Sequence, residues 1–153
     1  MLNLLTLLKQ GEKMSKSYKV FIIGNPKNQD SVNNVWKNNI VNKLTKYKDN
    51  TISFVCTQNY FDKPYSNETR LWELNQMQDS DLIIVDLVDI ANNISAHCML
   101  TAIQMMNKVR TKHTFVIGIG KPDTDNIWLT SCIFKQFLTL DEAAEYIADK
   151  III

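Results

Sequence analysis

Short, uninterrupted apolar runs alternate along the chain with longer stretches in which apolar residues recur every three or four positions. The apolar runs are typical of buried β-strands, and the three- to four-residue spacing is typical of amphipathic helices. We predict strands at YKVFIIG (18–24), TISFVC (51–56), LIIV (82–85), TFVIGIG (114–120) and a weaker, edge-type strand at 132–137.

Helical spacing separates the first four predicted strands from one another and recurs after the fifth. We predict the helices at 32–44, 68–78, 93–108 and 140–147. Asp30-Ser31 and Thr139 are the predicted N-caps of the first and last helices. The polar segments 57–67 and 121–130 are predicted loops.

Strands that alternate with helices favour a parallel sheet with right-handed crossovers. We therefore predict an α/β fold, a single flavodoxin-like three-layer domain whose five-stranded parallel sheet has the order 2-1-3-4-5. The predicted domain spans residues 15–153, because Met14 begins a phrase (MSKSYKVFIIG) that is typical of a protein start. Residues 1–14 are then an N-terminal extension or an alternative-start segment.

Composition and charge narrow the classes of function. The chain has 153 residues, 45% of them hydrophobic, and a formal net charge of +1. This length suits one domain, and the near-neutral charge argues against duplex nucleic acid or an anionic membrane as a partner. The apolar start at 1–9 is too short to span a bilayer and lacks the features of a signal peptide.

Cysteine and histidine usage argues against a metal site. Cys56, Cys98 and Cys132 show no CxxC spacing, and their odd number does not suit a disulfide framework. Because His97 and His113 are the only histidines, a structural zinc site is not expected. We expect no metal, no cofactor, and reduced thiols in a cytoplasmic protein.

The predicted strand order brings two separate parts of the sequence to one crevice. In a 2-1-3-4-5 sheet, ligands bind beyond the carboxyl ends of the first and third strands. Gly24 and Asn25 follow the first strand, whereas Asp86 and Asp89 follow the third. The next helix start, near Ser95, offers backbone N–H groups and a partial positive charge to anions. This arrangement predicts a site for a polar small molecule, with or without a phosphate.

The order of short motifs over 18–147 resembles the nucleoside 2-deoxyribosyltransferase superfamily, including its nucleotide N-glycosidase relatives. The motifs are VFIIGNP (20–26), the helix containing Trp36, LWE (71–73), SDLIIVDL (80–87) and the helix at 94–102 followed by TFVIGIG. The resemblance implies a compact α/β domain that acts on the bond joining a nucleobase to deoxyribose. It also implies a nucleoside or nucleotide partner and a homo-oligomer whose neighbouring subunits complete the site.

The chain departs from that superfamily at the residue on which the chemistry depends. In the superfamily, a glutamate near the start of the corresponding helix attacks the anomeric carbon, and a nearby Asp handles the proton of the base. Here Ser95 keeps the expected hydroxyl, but Cys98 stands in place of the glutamate and Leu100 in place of a glycine. The 93–108 segment contains no acidic residue.

Three residues are candidates for catalysis, and each has a structural alternative. Asp86 either contacts a sugar hydroxyl or base, or caps the turn that follows its strand. Glu73 either reaches the crevice or lies on the solvent face of its helix. Cys98, predicted in the first turn of a helix, is either a low-pKa thiolate or a packed core residue.

The candidate ligand contacts are Gly24, Asn25, Asp89, Ser95, His97 and Trp128. The alternative for Asp89 is a solvated loop acid, and the alternative for Ser95 is a helix cap. His97 is a candidate for touching a phosphate or a base. Trp128 lies in a predicted polar loop, from which it can act as a lid.

Three functions are consistent with these residues. The first is an enzyme that cleaves or exchanges the N-glycosidic bond of a (deoxy)nucleoside or its monophosphate, with Asp86 and either Glu73 or Asp89 as essential acids. The second is a non-catalytic homologue that senses or sequesters a nucleotide-like ligand, which the absence of glutamate at Cys98 favours. A third is a flavodoxin-like interaction domain without a small ligand.

Overall fold

The computed structural model describes residues 17–24, 31–47, 51–56, 67–123 and 125–152. The predicted extension at 1–14, the candidate contact Asn25 and the loop at 57–66 lie outside these residues. In the part of the chain that is described, no helix is long and apolar enough to cross a membrane.

The described strands form one parallel sheet. They are β1 (Ser17–Ile23), β2 (Thr51–Cys56), β3 (Leu82–Asp86), β4 (Phe115–Ile119) and β5 (Lys135–Phe137), in the order β2-β1-β3-β4-β5. The register is parallel at each described pairing, and Leu82 of the central strand lies opposite Val20 on one side and Phe115 on the other. The predicted flavodoxin-like α/β fold and its strand order are confirmed.

Helices connect the strands and cover the sheet. They are α1 (Ser31–Tyr47), α2 (Asn67–Gln78), α3 (Ile94–Val109), α4 (Ile127–Ser131) and α5 (Leu140–Lys150). Helix α5 begins as predicted, because the Thr139 hydroxyl accepts a hydrogen bond from the Glu142 N–H at 3.3 Å.

The short helix α4 lies in a segment that was predicted to be a loop. Its five residues are too few to show a helical period in the sequence. The helix begins at the Asn126 side chain, which accepts a hydrogen bond from the Trp128 N–H at 3.0 Å. Leu129 anchors the helix, since its side chain is only 3% exposed.

Two apolar cores cover the two faces of the sheet. On one face, Phe21 and Ile23 of β1 pack in a cluster with apolar residues of α2, α3 and α4. On the other face, Val20 and Ile22 pack with apolar residues of α1 and α5. Because successive residues of a strand point to opposite faces, one uninterrupted apolar run supplies both cores.

Leu87 fixes the direction in which the chain leaves the sheet after β3. Its side chain is fully buried and lies over Gly118 of β4, where an added Cβ would come within 2.6 Å of a Leu87 side-chain carbon. The Leu87 N–H donates to the carbonyl oxygen of Ile119 at 2.9 Å. A glycine at 118 thus allows the turn after β3 to pack closely against β4.

A hydrogen-bond network closes the amino edge of the sheet. The Asn107 amide donates to the Thr114 carbonyl oxygen at 2.8 Å and accepts from the Thr114 N–H at 2.9 Å. Arg110 donates to Asn107 Oδ1 and to the carbonyl oxygen of Gln78, at 3.1 and 2.7 Å. The Thr114 hydroxyl donates to the Ser80 carbonyl oxygen at 2.7 Å. This network ties the ends of α2 and α3 to the start of β4.

Candidate functional site

Asp86 ends β3 at the carboxyl edge of the sheet, and its side chain is buried. Its Oδ1 accepts a hydrogen bond from the Val88 N–H at 3.0 Å, as the turn-capping alternative predicted. Burial raises the pKa of this carboxyl, and the hydrogen bond from Val88 opposes part of that rise. A carboxyl with a raised pKa can hold a proton at higher pH than an ordinary Asp, so Asp86 stays a candidate acid.

Asp89 reverses the chain between β3 and α3. Its backbone has a φ of 58°, in the left-handed region that Asp tolerates better than most residues. Its Oδ1 accepts a hydrogen bond from Asn92 Nδ2 at 2.7 Å across the 3₁₀ turn Ile90–Asn92. The Asp89 side chain is half-buried and shapes this turn, so it is more than a solvated loop acid.

Asn93 joins the two parts of the sequence that were predicted to converge. Its Nδ2 donates to the carbonyl oxygen of Gly24, at the end of β1, at 3.3 Å. Its Oδ1 accepts from the Ala96 N–H at 3.1 Å, so that Asn93, and not Ser95, is the N-cap of α3. Asn93 was not among the predicted site residues, although an asparagine before a helical pattern is a signal for an N-cap.

The His97 ring turns back toward the turn that precedes its own helix. Its Nε2 lies 2.8 Å from the carbonyl oxygen of Ile90 and donates to it. Ile90 is fully buried, so this hydrogen bond fixes the turn against the core. One of the two nitrogens of the His97 ring is therefore occupied by a hydrogen bond within the protein.

The loop between β4 and α4 borders the same edge of the sheet. It begins at Gly120, whose φ of 103° is a conformation that side-chain-bearing residues rarely adopt. Asp123 Oδ1 accepts from the Ala91 N–H at 3.0 Å and holds this loop to the turn after β3. Trp128 follows on α4 rather than in a loop, and its side chain is 81% exposed.

A groove of about 370 Å³ lies between α2 and α3. Its described lining residues are Glu73, Leu74, Ile94, Ser95, Cys98, Met99 and Ala102. The walls are mainly apolar, and the lining polar groups are the Glu73 carboxyl, the Ser95 hydroxyl and the Cys98 thiol. The sequence pattern marked Leu74, Met99 and Ala102 only as apolar helix positions, because local spacing does not show where two neighbouring helices leave a gap.

The groove brings together three of the candidate residues. Glu73 is only 4% exposed, so the alternative that it lies on the solvent face of α2 is wrong. Cys98 is exposed, so its core alternative is wrong as well. It is the fifth residue of α3 rather than a first-turn residue, and the favourable effect of a helix start on a thiolate fades beyond the first turn.

The remaining candidates lie at the sheet edge. Asp86, Asp89 and His97 are not among the described lining residues of the groove. The start of α3 connects the groove with the carboxyl edge of the sheet. Asn93 contacts the end of β1 at that edge, and Ser95, two residues further along the chain, lines the groove. Gly24 is half-buried at that contact.

The chemistry available in the groove is that of a carboxyl group in an apolar setting. A Glu73 carboxylate can accept hydrogen bonds from a hydroxyl or an N–H group, and apolar walls strengthen such bonds by excluding water. Within the described residues, no three His, Cys, Asp or Glu side chains are grouped so that they could hold a metal ion.

No protein-family model and no curated protein matches this chain.

Proposed function

We propose that this protein binds a nucleoside or nucleoside monophosphate in the groove between α2 and α3. The observation that carries the proposal is the buried Glu73 carboxyl in a mainly apolar groove that it shares with Ser95 and Cys98. A groove of about 370 Å³ falls within the usual range of small-molecule sites, roughly 300–1,000 Å³.

The groove's composition suits the chemistry of a nucleoside. A nucleobase has two flat, weakly polar faces, which Leu74, Met99 and Ala102 can cover. Its edge and the sugar carry N–H and O–H donors, for which the Glu73 carboxylate and the Ser95 hydroxyl are partners. The motif resemblance to nucleoside 2-deoxyribosyltransferases supports the same ligand class.

A second candidate function is cleavage of the N-glycosidic bond. The observation in its favour is that Glu73 borders the same groove as Cys98, which stands in place of the superfamily's glutamate. In this reaction the Glu73 carboxylate forms a bond to the anomeric carbon while the base leaves with the bonding electrons and takes up a proton. Water then releases the sugar and restores the carboxylate. Asp86, whose pKa is raised by burial, is the candidate acid for a base that extends from the groove to the carboxyl edge of the sheet, where Asp86 lies.

One experiment separates binding from cleavage. The protein is incubated with the four 2′-deoxynucleosides and their 5′-monophosphates, thermal shifts are recorded, and free base is measured by chromatography. Binding alone predicts a stabilised protein without free base, whereas cleavage predicts release that stops in Glu73→Gln and continues in Cys98→Ala. The exposed Glu145 of α5 lies on the opposite face of the sheet, so Glu145→Gln is the matched control. A panel that produces neither a shift nor free base overturns the proposed function.

The resemblance extends the proposal to a cytoplasmic homo-oligomer. Light scattering on the purified chain is expected to give a mass of at least two protomers. A monomer at every concentration would contradict this part of the proposal and leave the groove unaffected.

A further inference from the structure

We propose that the leucine segment at residues 1–8 (MLNLLTLL) binds a cleft at the amino edge of the sheet of its own chain. The segment lies outside the described residues and precedes β1. The cleft is separate from the groove between α2 and α3. Three observations support this binding: the apolar, uncharged lining of the cleft, the exposed aromatic rings in it, and its short distance from the start of β1.

The amino-edge cleft has a volume of about 220 Å³ and lies between α3, the start of β4 and the connection from α4 to β5. Its described lining residues include no Asp, Glu, Lys or Arg. Several of its polar groups bond within the protein, since the Cys132 thiol donates to Gln104 Oε1 at 2.9 Å and Asn107 bonds to Thr114. The cleft therefore suits an apolar and uncharged occupant.

Two aromatic rings of this cleft are open to water. Phe115 and Phe134 meet edge to face, with ring centroids 5.1 Å apart, and their side chains are 37% and 58% exposed. The backbone fixes both residues, because the Phe134 N–H donates to the Val116 carbonyl oxygen at 2.8 Å and the Phe115 N–H donates to the Asp81 carbonyl oxygen at 3.1 Å. Apolar side chains that cover these rings leave water together with them, which is favourable.

The leucine segment has the composition that this cleft requires. Five of its eight residues are leucines, and none of its side chains is charged. Leucines gain free energy when they are removed from water. Because neither the segment nor the described lining of the cleft carries an Asp, Glu, Lys or Arg, their contact buries no such charge and avoids the cost of doing so.

The position of β1 places the cleft within reach of the segment. Val20 of β1 lies in register with Leu82 of β3, which lies in register with Phe115 of β4. Phe115 is therefore about 10 Å to the side of β1 and about 10 Å along it from Ser17. Residues 9–16 connect the segment to Ser17 and can span up to about 26 Å. The carboxyl edge, where Ser95 lies, is a further strand length of roughly 20 Å from Ser17.

Backbone amide spectra of the ¹⁵N-labelled full chain test the contact from the side of the segment. Leu4→Ser combined with Leu5→Ser should shift the amides of Val116, Cys132 and Phe134 and leave that of Ser95 unchanged. The same variant should lower the Tm by about 3–5 °C. Asn3→Ser combined with Thr6→Ser changes polar residues of the same segment and is the matched control, for which we expect neither effect.

A reciprocal variant tests the contact from the side of the cleft. Phe134→Ser should shift the amides of residues 4–8, which are distant from it in sequence. Leu138 is also an exposed apolar residue, at 67%, but is not among the described lining residues of the cleft, so Leu138→Ser is the matched control. This variant decides the proposal if the leucine variant does not fold.

Three results would overturn the proposal. The first is an unchanged cleft in the leucine variant together with unchanged amides at 4–8 in Phe134→Ser. The second is a set of shifts in the leucine variant at Leu74 and Ser95 rather than at the cleft, which would place the segment in the groove between α2 and α3. The third is a set of cleft shifts that disappears on dilution, which would mean that a second copy of the chain covers the cleft.

Discussion

The amino and carboxyl edges of the same sheet use polar side chains in different ways. At the amino edge, Asn107, Arg110 and Thr114 bond to one another and to backbone carbonyl oxygens at the end of α2. Asp81 adds to this edge, since its Oδ2 accepts from the Lys19 N–H at 2.8 Å and its Oδ1 pairs with Lys112 at 2.7 Å. Polar groups at this edge serve the fold.

At the carboxyl edge, polar groups shape turns and border a groove. Asp89 and Gly120 adopt left-handed backbone conformations, and Asp86 is buried with a raised pKa. Glu73 lines the open groove beside this edge. A left-handed backbone at a residue other than glycine, as at Asp89, and a buried acid are costly, and proteins concentrate such features at functional sites. The comparison predicts that changes at the amino edge alter stability alone, whereas changes near the carboxyl edge alter ligand binding too.

The largest expected effect on stability is at the amino edge. Asn107→Ala removes the partners of the buried Thr114 backbone groups, and we expect a loss of about 2–3 kcal/mol in the free energy of unfolding. Ligand affinity of the folded variant should not change. Urea unfolding and calorimetry measure the two quantities, and Asn42→Ala, at an exposed position of α1, is the control. An affinity loss in Asn107→Ala would contradict the division between the two edges.

A smaller stability effect, with a clear effect on binding, is expected at Asn93. Asn93→Ala removes both the cap of α3 and the bond to Gly24, which should cost about 1–2 kcal/mol of stability. Asn93→Asp keeps an acceptor for the Ala96 N–H but loses the donor to Gly24. We therefore expect Asn93→Asp to retain more stability than Asn93→Ala and still to weaken nucleoside binding. Full affinity in Asn93→Asp would show that the bridge to β1 does not position the groove.

Asp86 should give a smaller effect that depends on pH. Its folded-state pKa lies above the ordinary value of 3.8, so the folded state binds this proton more tightly than the unfolded state does. The free energy of unfolding contributed by Asp86 therefore falls as pH rises from the ordinary value through the raised folded-state pKa. Asp86→Asn removes this dependence and keeps an oxygen acceptor for the Val88 N–H. Urea unfolding across this pH range should show the wild type losing stability relative to Asp86→Asn, and parallel curves would contradict the raised pKa.

The smallest expected effect on stability is at Cys98. Because its side chain is exposed, Cys98→Ala should change the free energy of unfolding by less than about 0.5 kcal/mol. Thiol labelling should reach Cys98 much faster than Cys132, which is buried and whose pKa is raised by that burial. A bound nucleoside should slow labelling at Cys98, with the labelled positions identified by peptide mass spectrometry. Unchanged labelling in saturating ligand would place the ligand elsewhere.

The sequence predicted the sheet well because its information is local and strong. Each buried strand is a short apolar run, and strands that alternate with helices along the chain indicate a parallel sheet. The prediction that Gly24 lies near the start of α3 is confirmed by the hydrogen bond from Asn93 to Gly24, and it followed from placing β1 beside β3 in the sheet.

The groove was harder to predict because it depends on packing between elements that are distant in sequence. Nothing in the spacing of α2 shows that Glu73 is buried, and nothing in the spacing of α3 shows that Cys98 is exposed. The His97 contact with Ile90 likewise follows from the path of the turn, which the left-handed Asp89 shapes. Candidate residue types were visible in the sequence, but their grouping was not.

The central claim is that the groove between α2 and α3 binds a nucleoside. Titration of ¹⁵N-labelled protein with the tightest-binding 2′-deoxynucleoside, followed by backbone amide chemical shifts, tests it directly. We expect the largest shifts at Glu73, Leu74, Ser95 and Cys98, with little change along α5. Shifts confined to the α1 and α5 face, or no shifts at saturating nucleoside, would contradict it.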